Sequence, residues 1–183
     1  MLERPLSEES IKVLHKWVLK NDPNTERGYT SESLIGGSME HAMGVYYGEE
    51  QYEDIFEKAA VFIHSIITFH PFVDGNKRTA LLSTFFLLLF HGYGFNISSE
   101  NVIQTLLDIA DGKKNDIKEI ANWLKKNSKK FHLSARIILG FFRAFTSELN
   151  LSILEKQDNP VSKFYSVSIS VILNEMGEEW PED

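Results

Sequence analysis

Residues 70–80 read His-Pro-Phe-Val-Asp-Gly-Asn-Lys-Arg-Thr-Ala, which sets a proton acceptor, a hard oxygen ligand and an anion cradle in one short loop. Imidazole gains and loses its proton near neutral pH, so His70 suits general-base work. Pro71 biases His70 away from helical geometry, so a preceding helix ends there and leaves the imidazole in the loop. Asp74 supplies the kind of oxygen that Mg²⁺ uses when it also binds phosphates. Gly75 lets the backbone turn so that N–H groups converge on a phosphate. Asn76 suits a helix cap and a donor to a phosphate oxygen, while Lys77 and Arg78 neutralise phosphate charge. These residue types fit phosphoryl or nucleotidyl transfer.

The following stretch, Leu81 to Phe90, is almost wholly apolar and reads as a buried helix that has no need of charges crowded at its start. Lys77 and Arg78 also stand at the positive end of its dipole, where cations are disfavoured unless an anion lies between them and the backbone. Such a local conflict marks a functional site. Blander readings remain open at this level. His70 also fits a structural helix end, His70 with Asp74 a transition-metal pair, and Lys77 with Arg78 a solvated surface. Phe72 reads as a core plug and His64 as a residue packed beneath the loop. His15, His41, His91 and His132 carry no spacing that suggests ligation.

The elements that position the loop are helical. Ser7 caps a helix to about residue 19, with Ile11, Leu14 and Val18 on one face. Asn21-Asp22-Pro23-Asn24 is a turn. Residues 25–37 lack helical periodicity and read as irregular or extended; a short helix from Ser38 to about residue 46 follows. Residues 52–69 form a longer helix with Ile55, Phe56, Ala59, Phe62, Ile63 and Ile66 inward. The apolar helix stops near Gly92. Two further helices run from Ser98 or Ser99 to about residue 110, and from an Asn115 cap to about residue 127. The last fifty residues differ: 149–154 and 165–171 alternate polar and apolar like strands, whereas 134–145 also fits a helix face. The expected fold is mainly α, a helical domain over 1–130 with a small α/β or β-hairpin extension over 131–183.

With 183 residues, 43% of them hydrophobic, the chain can bury a sizeable core. It has no cysteine, which excludes disulfides, thiol nucleophiles and cysteine zinc sites. The net charge of −7 argues against general nucleic-acid binding. No apolar run reaches the ~18 residues of a membrane span and residues 1–10 lack a signal-like apolar stretch, so a cytoplasmic location is expected. The lysines between 113 and 130 read as a solvated helix face, with an acidic partner as the alternative.

The loop resembles the signature of the Fic/Doc superfamily, commonly His-x-Phe-x-Asp/Glu-Gly-Asn-Gly-Arg-x-x-Arg. Lys77 replaces the second Gly and Leu81 the second Arg, and both departures resemble the Doc, or death-on-curing, branch, whose loop ends Asn-Lys-Arg-Thr-Ala-Leu. The resemblance extends over roughly residues 8–126, through Phe56 to Ser65 before the loop and through Gly36, Gly37 and Ser38. It implies that these last three form a substrate-facing flap; an ordinary turn is the alternative.

The resemblance further implies a Fic-type helical bundle and transfer of part of a nucleotide from ATP, with Mg²⁺, to a protein hydroxyl. His70 would take the hydroxyl proton and Asp74 would hold Mg²⁺. Gly75, Asn76, Lys77 and Arg78 would bind the phosphates. Most Fic enzymes transfer AMP, whereas the Doc branch is known for a kinase that phosphorylates a translation elongation factor. Lys77 adds bulk and charge, and Leu81 removes a guanidinium that grips the γ-phosphate in AMP transfer; both favour the kinase. Gly75 and the His-Pro-Phe opening favour AMP transfer. The self-inhibitory Ser/Thr-x-x-x-Glu-Gly/Asn motif is absent from the sequence; if the activity is harmful, a separate antitoxin must restrain it. A catalytically silent binding module of the same fold is the third reading.

Overall fold

The computed structural model describes residues 6–21, 24, 26–95 and 100–130. All of them fall in the first of two units into which the chain divides, Met1–Lys130. The expected extension over 131–183 lies outside the described residues.

Ser7 opens the first helix, α1 (Glu8–Asn21), as expected: its hydroxyl accepts the Ser10 N–H at 3.1 Å. Ile11, Leu14, Trp17 and Val18 are buried along α1. Helix α2 spans Ser33–Met43. A hairpin of β1 (Val45–Tyr46) and β2 (Glu49–Glu50) follows, and then α3 (Ile55–Phe69). Asp54 starts α3 by accepting the Phe56 N–H at 2.6 Å. Helix α3 is buried nearly all round, as a central helix must be. The loop leads into α4 (Asn76–Phe90), which is buried from Leu82 through Leu89.

Beyond α4 a turn at Gly92 leads to β3 (Tyr93–Phe95), α5 (Glu100–Ala110), α6 (Ile117–Lys126) and β4 (Ser128–Lys130). Strands β3 and β4 pair antiparallel, Tyr93 opposite Lys130. Helix α6 begins at Asp116, whose carboxylate accepts the Lys118 N–H at 2.8 Å; Asn115, the expected cap, donates to the Gly112 carbonyl instead. Helix α3 packs against α2, α4 and α6, and α1 lies on α4. The described fold is therefore a mainly helical bundle with small antiparallel β elements.

Two expectations for the chain before α3 are corrected. Helix α2 begins five residues before Ser38, so Gly36 and Gly37 are helical. Gly36 has a packing reason: a Cβ there would stand 3.2 Å from the Glu8 carboxylate of α1. Residues 45–50, expected to end a helix or lie in a loop, form the hairpin. Tyr47 and Gly48 both take positive φ at its tip, as a tight hairpin turn demands.

Burial ranks the helices by their cost of truncation. Ile63, fully buried in α3, should lose about 2–5 kcal/mol on Ile63→Ala. Ile103, 67% exposed on α5, should lose less than about 0.5 kcal/mol on Ile103→Ala. Urea unfolding of the two variants checks this; equal losses would contradict the assignment of α3 as the centre of the core.

Candidate active site

Helix α3 ends in His70, which takes left-handed backbone geometry (φ 49, ψ 57) and projects at the surface. A non-glycine residue there is uncommon and needs surrounding structure to hold it. That structure is a set of hydrogen bonds on the next three residues. The Thr30 and Ser31 N–H groups donate to the Pro71 carbonyl at 2.9 and 3.3 Å, and the Val73 N–H donates to the Gly28 carbonyl at 3.1 Å. Tyr29 and Phe72 form an antiparallel bridge between the two segments.

Asn76 grips the loop from the other side. Its side-chain oxygen accepts the Phe72 N–H at 3.0 Å, and its amide nitrogen donates to the Phe72 carbonyl at 2.7 Å. Asn76 is therefore the first helical residue of α4, buried and turned inward. The cap position belongs to Gly75, in left-handed geometry (φ 76, ψ 8). The expected capping role of Asn76 is thus corrected, because its amide is engaged by Phe72.

Helix α4 starts without a side-chain cap. Its first turn closes with the Thr79 N–H on the Gly75 carbonyl at 2.9 Å. The N–H groups of Asn76, Lys77 and Arg78 precede that bond and lie at the helix's positive end. Asp74 accepts the Gly75 N–H and stands 3.6 Å from the Arg78 guanidinium, both side chains about half-exposed. Lys77 is exposed, and its charge reaches Asp111 in the α5–α6 turn. An anion at this end would meet backbone donors, Lys77 and Arg78 together. Among the described residues no group of three His, Cys, Asp or Glu side chains is placed to hold a metal. A lone half-exposed carboxylate beside an anion site fits Mg²⁺ only together with phosphates.

The structure brings His70, Asp74, Gly75, Lys77 and Arg78 onto one loop and helix end. Gly36, Gly37 and Ser38 lie apart from it in character: they are helical, and the Ser38 hydroxyl is buried and donates to the Leu34 carbonyl at 2.8 Å. The ordinary turn given as their alternative is not what α2 has. His64 lies 3.4 Å from the Asn115 side-chain oxygen.

Two histidines support the loop that spacing did not single out. His41 bonds Ser65 at 2.9 Å and stacks on Phe69, the residue before His70. His15 is buried, stacks on Phe72 with ring centroids 3.7 Å apart, and meets the Thr79 hydroxyl at 3.0 Å. The available signal for His15 was its place on the apolar face of α1, four residues from Ile11 and three from Val18.

Residues 5–88, which include the whole loop, match the Fic/DOC family model. Over these residues the chain is similar to the Fic/DOC family. A curated relative, "Toxin Doc" of Mycolicibacterium smegmatis (strain ATCC 700084 / mc(2)155), is 32% identical over 59 residues. That match covers 32% of this chain and 45% of the relative, so the chain spans less than half of the relative's length.

The loop carries a pH signature through His15. Burial, helped by the Arg78 guanidinium and opposed by Asp74, pushes its imidazole from 6.5 down to about 4. The folded pKa lies below the unfolded one, so as pH falls the unfolded chain takes the proton first. Stability from this group is complete above about pH 6.5, declines between 6.5 and 4, and is level below 4. The decline should approach about 3 kcal/mol. Urea midpoints between pH 7 and 4.5 should fall more steeply for the wild type than for His15→Leu; identical slopes would remove His15 as the cause.

Proposed function

We propose that this protein is a Fic/Doc-type transferase that moves a phosphoryl group from ATP to a hydroxyl of another protein. One observation carries the reading. The exposed His70 and the uncapped, cation-bearing start of α4 are held at the two ends of one short loop, whose end residues His70 and Gly75 both take left-handed geometry. A base and an anion site at fixed separation are what phosphoryl transfer asks of a protein, since catalysis there is mostly positioning and charge stabilisation.

In this mechanism the acceptor hydroxyl gives its proton to His70 as its oxygen bonds to the terminal phosphorus. The bond from that phosphorus to ADP breaks, and ADP leaves with the electron pair. The N–H groups at the start of α4, with Lys77 and Arg78, carry the charge on the phosphoryl oxygens. Gly75 supplies the turn that aims those groups, and Asn76 holds the loop through Phe72 rather than touching phosphate. Asp74 would hold Mg²⁺, which when bound neutralises phosphate charge.

Support for terminal-phosphate transfer comes from Lys77 in the first turn, Leu81 one turn on, and the likeness to a protein named Toxin Doc. The second reading, AMP transfer, is favoured by Gly75, which leaves room for a phosphate against the backbone. A toxin role brings two partners: a translation factor as the protein substrate, and a separate antitoxin that restrains the enzyme. The site of action in this reading is the cytoplasm.

The test is a transfer assay in a cell lysate with Mg²⁺ and ATP labelled at the α or the γ phosphate. The expected result is protein label from γ-ATP alone, reduced at least about 10²-fold by His70→Ala. Label from α-ATP alone would replace the kinase reading with AMP transfer. No His70-dependent label from either would leave a binding module.

A further inference from the structure

Phe72 is fully buried, yet it lies between two residues that reach solvent, Pro71's neighbour His70 and the half-exposed Val73. Its ring must therefore be received by something beneath the loop. That receiver is His15 on α1, whose ring lies nearly parallel to Phe72, 14° between planes at 3.7 Å. Tyr29 leans on both rings, 6.3 Å from His15 and 5.7 Å from Phe72.

Packing alone does not account for an imidazole here. Among the described residues Nε2 of His15 is buried without a hydrogen-bond partner, a cost that Phe or Leu would avoid. The compensating feature is the other nitrogen: Nδ1 meets the hydroxyl of Thr79, itself fully buried on α4. His15 thus touches both ends of the loop at once, Phe72 near its entry and Thr79 just past its exit. Asn76 closes the same ring from within, since it holds Phe72 and stands three residues before Thr79. Helix α1 is fixed in turn by Lys12, which pairs with Glu32 at 2.8 Å and with Glu8 and Glu9 at 3.2 Å.

We propose that His15 is a positioning residue for the reactive loop: its ring seats Phe72 and its Nδ1 ties that seat to α4 through Thr79, which keeps His70 and the anion site at constant separation. Its role in transfer rests on the function proposed above; its hold on the loop does not.

Hydrogen exchange, read by mass spectrometry on the full chain, tests the hold directly. Thr79→Val removes the partner of Nδ1 and keeps the volume; His15→Leu removes ring and bond together. In both variants the amides of His70 and of residues 72–75 should exchange about tenfold faster, on the scale of one lost buried hydrogen bond, while the α3 amides of Phe62 and Ile63 stay as in the wild type. Unchanged loop exchange in the folded variants would overturn the proposal. Equal acceleration in loop and α3 would overturn it too, by making His15 an ordinary core residue. If His15→Leu fails to fold, Thr79→Val decides alone. Where the wild type transfers label, kcat should fall about tenfold in Thr79→Val; a kcat equal to wild type with faster loop exchange would end the link to catalysis. A wild type that transfers nothing would sink the function while the exchange result still judged the hold.

Discussion

The double hydrogen bond between Asn76 and the backbone of Phe72 is the constraint from which the rest of the site follows. A six-residue connection between two buried helices must reverse direction with left-handed geometry at both ends, at His70 and Gly75. Glycine adopts this freely, but histidine does so at a cost of order 1 kcal/mol or more. The peptide groups of such a loop also need partners once they are covered. Asn76 satisfies the N–H and C=O of Phe72, while Gly28, Thr30 and Ser31 satisfy Pro71 and Val73. With the backbone held on both sides, His70 has little freedom left except in its side chain.

The same clamp explains why α4 starts uncapped. The residue type best suited to cap it is spent on Phe72, so the first turn keeps its N–H groups toward the outside. Asp74 offsets part of the electrostatic conflict by sitting beside Arg78. At 3.6 Å and half-exposed, that pair contributes at most about 1 kcal/mol and does not neutralise Lys77 as well. A positive field therefore remains at the end of a rigid helix. Fixed dipoles and charges of this kind favour an anion without reorganisation when it arrives.

Much of this was legible in the residues. The order His, Asp, Gly, Asn, Lys, Arg before an apolar helix located the loop, and periodicity located α1, α3, α4, α5 and α6 within a few residues. What escaped depended on distant partners. Gly36 and Gly37 argue against a helix by propensity, yet α2 forms because Gly36 lets Glu8 approach and Ile35, Met39 and Ala42 are buried. The hairpin at 45–50 was hidden because Tyr47 fills a turn position where Asn or Gly is the usual signal. Asn76 looked like a cap because short polar residues before apolar helices commonly are caps; only the fold shows Phe72 within its reach. His15 was passed over because its partners lie 57 and 64 residues away in sequence.

The distribution of charge along α4 bears on which phosphate would sit nearest His70. Leu81 stands four residues after Lys77 and three after Arg78, and all three lie on the part of the helix not buried in the core. The cations occupy the first turn alone; one turn further the side chain is apolar and half-buried. A nucleotide laid along this face would find its counter-charges only at the loop end. Its most highly charged part, the terminal phosphate, would then lie beside His70, and the less charged remainder would extend along the apolar side. In the AMP-transfer orientation the terminal phosphates must instead run past the first turn, to the position where the common Fic form has a second Arg and this chain has Leu81. There a dianionic phosphate would face a hydrocarbon side chain with no donor, and the loss of a charge-assisted hydrogen bond costs about 1.5–3 kcal/mol. The proposed preference for phosphoryl transfer is thus an argument about one helical turn, in which a leucine and a lysine act together.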